Sequence, residues 1–273
     1  MTSRPLLTAA ALVLAAACAH LPSHLHDAPG AMPEDLAPHV EQAVHLGVAL
    51  YEQDVVSARA SDVLVDAKVI PQDDRLAGWI SLPDRDGSWR VDFVTESGGA
   101  LAAAYEVTFE PGSAVESDVE AFHPPRPLEP RAAAMFRARQ AVLARVERRC
   151  GTGVNPAVLP ASLAGEDGWL VYALAATNRP GEVVLSGHRL FRVSPDGNRI
   201  LEEVPLSRSC QVETEKQLPE GAHPAALVVS HAVSDWPLET HVFTSLLYDT
   251  DLYVGTPRGV FEVSGDHVSF LGR

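Results

Sequence analysis

The chain has 273 residues, 46% of them hydrophobic and 21% charged, which is the balance of a globular protein and excludes a disordered one. Its formal net charge of −15 excludes a nucleic-acid binder, which needs a basic surface to displace counterions. The same charge excludes electrostatic attachment to an anionic membrane.

Met1-Thr2-Ser3-Arg4 is a short, positively charged start, and Leu6 to Ala17 is a run of apolar and small residues broken only by Thr8. The run is too short to cross a bilayer, which takes about 20 residues. It fits the hydrophobic region of a secretion signal. Its end, Leu14-Ala15-Ala16-Ala17-Cys18, resembles the bacterial lipobox, in which small residues precede a cysteine that is acylated and becomes the new first residue. The resemblance implies a signal peptide over residues 1–17, lipidation of Cys18 and a membrane anchor there. With Ala19 rather than Asp behind the cysteine, it further implies the outer membrane of a Gram-negative envelope, facing the periplasm. The pattern departs at Ala15, where leucine is usual. An ordinary signal peptide, cut before Cys18 or after Ala19, remains the alternative and would leave a soluble periplasmic or secreted protein.

The chain has three cysteines, Cys18, Cys150 and Cys210. If Cys18 is lipidated, two remain in a compartment where disulfides persist. A Cys150–Cys210 bridge would close a loop of about 60 residues, worth on the order of 4 kcal/mol through chain entropy.

Residues 18–36 are small, polar and rich in Pro and His, and read as a flexible tether. From Pro38, a favourable first-turn residue, Val40, Val44, Val48, Tyr51, Val55 and Ala58 recur at steps of three and four. That spacing predicts an amphipathic helix to about Leu64. The period then becomes two: a stretch from Trp79, then Trp89-Val91-Phe93, then Leu101 to Phe109, with Asp86-Gly87 and Gly98-Gly99 as hairpin turns. This is a three-stranded meander with one buried face. Residues 110–130 read as an acidic, Pro-rich loop. A second helix from about Pro130 to Arg149 holds Arg131, Arg137, Arg139, Arg145, Arg148 and Arg149 on what reads as a solvated face, with an anion or lipid-headgroup patch as the sharper alternative.

After Cys150 the pattern is β-rich. Strands are expected over 169–176, 183–193, 199–204, 225–231, 240–247, 252–256, 260–263 and 268–271, in an antiparallel sheet or open barrel-like wrap. The fold class expected is therefore α+β. A helix–meander–helix region, 37–149, is expected to form one unit with an antiparallel region, 150–273.

Histidines offer the candidate site. His188 falls within one expected strand, His231 ends another and His241 begins the next. Antiparallel neighbours would bring His231 and His241 together, with Glu239 or Asp235 nearby. His188, His231 and His241 are thus the metal-ligand candidates. Zinc needs three or four ligands converging at about 2 Å, and neither His-Glu-x-x-His nor Cys-x-x-Cys occurs. Core or surface histidines are the competing reading. His20, His24 and His26 in the tether would bind metal only loosely.

Ser207-Arg208-Ser209-Cys210 offers hydroxyls that His188 or His231 would activate in a hydrolase, but no Gly-x-Ser-x-Gly elbow accompanies them. Asp84-Arg85-Asp86-Gly87 begins like a calcium loop, yet its twelfth position is Thr95 where a glutamate is required. No phosphate loop or dinucleotide fingerprint is present, so no cofactor is expected. Trp236-Pro237 and the loop from Pro219 to Pro224 are candidates for a pocket rim.

Gly47 to Asp54 with Ala58 to Asp62, then Gly187-His188-Arg189, Ser207 to Cys210 and Glu239 to Phe243, resemble blocks of a group of proteobacterial exported proteins of unknown function. The resemblance spans most of residues 40–271 and implies no activity. The expectation is a non-enzymatic envelope lipoprotein that binds a protein or a small molecule. A periplasmic hydrolase, possibly metal-dependent and using the histidines, is the alternative.

Overall fold

A computed structural model describes residues 30–70, 72–84, 86–111, 116–147, 150–214 and 226–273. The signal, Cys18, the tether histidines, Arg148, Arg149 and the loop from Pro219 to Pro224 lie outside the described residues. Gly30 already bridges to Phe270, and Leu36 is buried against Val40 and Phe261. From Gly30 onward, the stretch expected as tether is therefore part of the folded body.

The first helix, α1, runs Ala37–Asp66 with Pro38 in its first turn, and the chain leaves it through Lys68 at a φ of 59°. Its buried positions, including Val40, Leu46, Leu50, Val56, Ala60 and Leu64, follow the helical period and serve different partners along its length. Val56, Ala60 and Leu64 meet a first sheet, Leu46 and Leu50 a second, and Val44 and Val48 a third.

The first sheet is antiparallel in the order β1 (Leu76–Pro83), β2 (Trp89–Ser97), β3 (Ala100–Phe109), β4 (Glu120–Pro127). Strand β4 occupies part of what reads as a loop. His123–Pro124 is cis, and prolines at 124, 125 and 127 mask the strand signal, yet they are tolerated because β4 is an edge. Both faces of the sheet are covered, contrary to the single buried face expected. Val91, Phe93, Val107 and Phe109 pack on α1. On the other face Ile80 and Val94 pack on the second helix, α2 (Pro130–Leu143). Cross-strand partners Asp92 and Glu106 are buried there as well, both bonded by Arg126 of β4.

Helix α2 ends six residues before Arg149, and its arginines do not share one face. Arg131 and Arg145 are exposed, and Arg137 Nε donates to Asp196 O at 3.0 Å. Arg139 is buried, with its guanidinium 4.4 Å over the Trp79 ring, which corrects the solvated reading at that position.

The second sheet is antiparallel in the order β5 (Gly153–Pro160), β6 (Trp169–Ala176), β8 (Arg189–Val193), β9 (Ile200–Pro205). A short ribbon pairs β7 (Glu182–Val184) with β10 (Val212–Thr214). The single strand expected over 183–193 is thus two strands interrupted at Leu185 to His188. Gly187 makes the break at a φ of 93°, and a Cβ there would sit 2.4 Å from Cys150 Cβ. Cys150 and Cys210 form the expected disulfide, with Cα atoms 5.4 Å apart.

The third sheet has the order β11 (Leu227–Ser230), β12 (Leu252–Thr256), β13 (Gly259–Ser264), β14 (His267–Gly272). Two corrections fall here. Residues 240–247 are not a strand; Glu239–Tyr248 is a helix, α3. And β11 pairs with β12 in parallel, with α3 as the crossover. Thr240, Val242, Phe243 and Thr244 carry strand propensity, but a segment buried nearly all round has no period to show which element it forms. Gly47 lets α1 cross α3 closely: a Cβ there would lie 2.5 Å from Val242 Cβ. The class is mixed α+β, and among the described residues no helix is long and apolar enough to cross a membrane.

Candidate functional site: a three-histidine cavity

His188, His231 and His241 line one largely enclosed cavity of about 120 Å³, although they come from three different parts of the chain. Each is brought there by a distinct piece of backbone. The β6–β8 ladder ends at Ala173 opposite Arg189, so the N–H of Ala175 has no strand partner across from the Gly187 break. It donates instead to Nδ1 of His188, at 3.0 Å. His231 follows β11 and extends the parallel ladder by one bond, its N–H donating to Gly255 O at 2.7 Å. His241 stands in the first turn of α3, where its Nδ1 accepts the N–H of Leu238 at 3.0 Å and so satisfies one of the groups outside the helix. A crossover helix starting where a parallel strand ends is what joins His231 to His241. Their ring centroids are 4.8 Å apart with planes at 88°. Helical geometry thus brings the pair together, in place of the antiparallel neighbours expected.

These backbone bonds decide the tautomers. A ring nitrogen that accepts an amide N–H carries no proton of its own, so neutral His188 and His241 hold theirs on Nε2. His231 Nε2 lies 2.7 Å from Ser234 Oγ, whose own proton goes to Trp236 O at 2.5 Å, so His231 is the donor in that contact. All three rings are neutral in the fold. Burial pushes His188 and His231 down to about 4, and burial together with the neighbouring His231 and His188 takes His241 well below the ordinary range. The Nε2 of His188 is fully buried and has no hydrogen-bond partner among the described residues.

This arrangement is not that of a metal centre. To ligate through Nε2, His188 or His241 would have to move its proton to Nδ1 and point it at a backbone N–H. Among the described residues no group of three or more His, Cys, Asp or Glu is placed to hold a metal ion. The carboxylates expected nearby are engaged elsewhere. Buried Glu239 accepts from Tyr172 Oη at 2.9 Å, burial raising its carboxyl above the ordinary range, and Asp235 approaches Arg258.

Nor, among the described residues, does a hydroxyl of the Ser207–Cys210 segment bond to a histidine. Ser186 Oγ and Ser207 Oγ both donate to Ser209 O, at 2.8 and 3.0 Å, and accept the N–H groups of Gln211 and Gly187. Those bonds and the Cys150–Cys210 bridge tie the Ser207–Cys210 segment to the backbone before His188. Trp236 stacks on His39 with centroids 4.0 Å apart. Asp86 closes the β1–β2 hairpin by accepting Ser88 N and Oγ, and holds no calcium loop together.

Two other features gather less. A larger open groove of about 580 Å³ runs along α1 past Val40, Val44 and Val48, without a cluster of convergent donors. The space beside Arg139, about 10 Å³, is too small for more than a water.

What the sequence pattern missed was the tautomer lock, because it depends on the amide of Ala175, a partner outside the local sequence of His188. Compared with known proteins, the chain matches no family model, no curated protein and no solved structure.

Proposed function

We propose that the chain is an exported envelope lipoprotein, anchored through Cys18, whose folded body binds a small ligand in the three-histidine cavity without transforming it. The observation that carries the binding reading is the Nε2–H of His188, a buried donor without a partner among the described residues, on a residue that lines a largely enclosed cavity. A buried polar group left unsatisfied costs roughly 1–3 kcal/mol, which a bound acceptor would recover. The non-enzymatic reading is supported by the chemistry of the lining. His188 and His241 present N–H groups rather than basic nitrogens, and the hydroxyls of Ser186 and Ser207 give their protons to a backbone carbonyl. The anchor rests on the lipobox-like end of the signal, and the resemblance to exported proteins agrees with it.

Two measurements test the proposal. In a Gram-negative host, Cys18→Ala is expected to move the protein from the membrane to the soluble periplasmic fraction; unchanged membrane association and mass would refute the anchor. For the body, the histidine ring signals in NMR are expected to shift together, and saturably, with at least one class in a panel of small acids, amides, alcohols and phosphate, the compound being recovered intact. A panel that leaves all three rings unmoved, or a compound consumed on incubation, would overturn the binding reading.

A further inference from the structure

Resting on the binding reading above, we infer that the cavity is a site for a short-chain aliphatic monocarboxylate. Its oxygens would face the Nε2–H groups of His188 and His241, and its alkyl end would lie against Leu185, Leu206 and Val229. Four observations converge on this class.

The first is the donor set. Nδ1 of each of these two rings is held by a backbone amide, so each ring keeps its proton on the other nitrogen, and in His188 that proton is buried without a partner among the described residues. A cavity lined by fixed donors selects an acceptor.

The second is charge. In a protein of net charge −15, no Asp or Glu among the described residues lines this cavity, and the charged residue described in its lining is Arg208, which is exposed on the Ser207–Cys210 segment. The first turn of α3, which supplies Thr240 and His241 to the wall, adds the positive end of a helix dipole. A single negative charge suits neutral donors with one arginine at the mouth. A dianion would ask for more positive charge than the cavity holds.

The third is size. About 120 Å³ is the volume of roughly four waters at about 30 Å³ each, enough for an acid of two to four carbons. The fourth is polarity. Leu185, Leu206 and Val229 are buried apolar residues in the lining, so the cavity offers donors together with hydrocarbon. That pairing fits an amphipathic acid better than an inorganic anion.

The test is isothermal titration of the mature chain, at neutral pH and low salt, with propionate, propionamide, 1-propanol and inorganic phosphate. Propionate is expected to bind saturably, at least tenfold more tightly than each of the other three. Arg208→Gln, an exposed substitution that leaves the core untouched, is expected to weaken propionate at least fivefold while leaving propionamide unchanged. His188→Leu, checked for folding by circular dichroism, is expected to abolish the response. If propionamide equals or exceeds propionate, the cavity binds neutral acceptors: the binding reading stands and the carboxylate assignment falls. Phosphate tighter than propionate likewise overturns the carboxylate. If none of the four binds, the carboxylate falls, while the binding reading is judged separately by the wider panel of ring shifts.

Discussion

The side-chain amide of Gln53 pairs with both backbone polar groups of Val158: Nε2 donates to Val158 O at 2.8 Å, and Val158 N donates to Oε1 at 2.7 Å. Gln53 lies on α1 and Val158 on β5, 105 residues later, so a helix side chain takes the place of a neighbouring strand at the edge of the second sheet. The same Nε2 reaches Ser81 O on β1 at 3.3 Å, and Ser57 Oγ meets Ser81 Oγ at 2.6 Å. The edges of two sheets are therefore joined through one helix turn, by buried side chains of Gln53, Ser57 and Ser81.

Gln53→Leu keeps the volume and removes the amide, leaving the N–H and C=O of Val158 and the C=O of Ser81 short of a partner. At roughly 1–3 kcal/mol for an orphaned buried group, partly relieved by relaxation, the expected loss is about 2–4 kcal/mol. Urea denaturation reads it directly, with Ser61→Ala on the same helix as a part-buried control that shifts far less. A Gln53→Leu protein within about 0.5 kcal/mol of the parent would show that the edges hold without the amide.

Arg139 presents the opposite case, a buried group whose removal helps. Its guanidinium lies over Trp79 and close to Gly78, its Nε is buried without a partner, and among the described residues no carboxylate pairs with it. Burial alone lowers it to about 10, a sign of how poorly the site solvates the cation. The cation–π contact returns about 1–2 kcal/mol, less than the effective cost of desolvating an ion. Arg139→Met is expected to be neutral or to raise stability by about 1–2 kcal/mol. A loss above about 1 kcal/mol on thermal unfolding would mean that the Trp79 contact outweighs desolvation.

How much of this was legible depended on whether a segment has one wet face. Helix α1 shows its period because its outer face meets water, and the hairpins at Asp86-Gly87 and Gly98-Gly99 show theirs through alternation and turn residues. The sequence of α3 reads as a strand because Thr240, His241, Val242, Phe243 and Thr244 are all buried, which erases the period and leaves only β-branched and aromatic propensity. Strands β4 and β5 hid behind prolines that an edge tolerates. The three histidines were visible as residues. Their shared cavity was not, since it needs the α3 crossover and the orphan amide of Ala175, both products of tertiary structure.

The disulfide ties stability to the site. Cys150 touches Gly187, the residue before His188, and Cys210 ends the segment that flanks the cavity. Opening the closed loop, by reduction or by replacing both cysteines with serine, is expected to cost on the order of 4 kcal/mol. It should also broaden the His188 ring signals while those of His267, on the β14 hairpin, stay sharp. A loss under about 1 kcal/mol with His188 unchanged would show that packing around Val184 and Ala175 holds the segment alone.

His188 makes the fold sensitive to acid in a defined direction. Its ring is neutral in the fold down to about 4, held there by burial, whereas the unfolded chain takes up the proton near 6.5. Between those values the unfolded state binds more protons, so stability is full above pH 6.5 and falls as the pH drops toward 4. The loss from this one group is on the order of 3 kcal/mol. Asp92 works against it: burial raises its carboxyl to about 6, so the fold gains stability from that group over part of the same descent. The raw pH profile therefore mixes two signs, and only a difference isolates the histidine. Glutamine at this position has an oxygen that can accept the amide of Ala175 and does not titrate, so His188→Gln is the reference. Relative to it, the parent is expected to lose on the order of 3 kcal/mol between pH 7 and pH 4 in urea titrations. Parallel profiles for the two proteins would mean that His188 is protonated in the fold as easily as outside it, and that its Nδ1 is not held by the backbone amide.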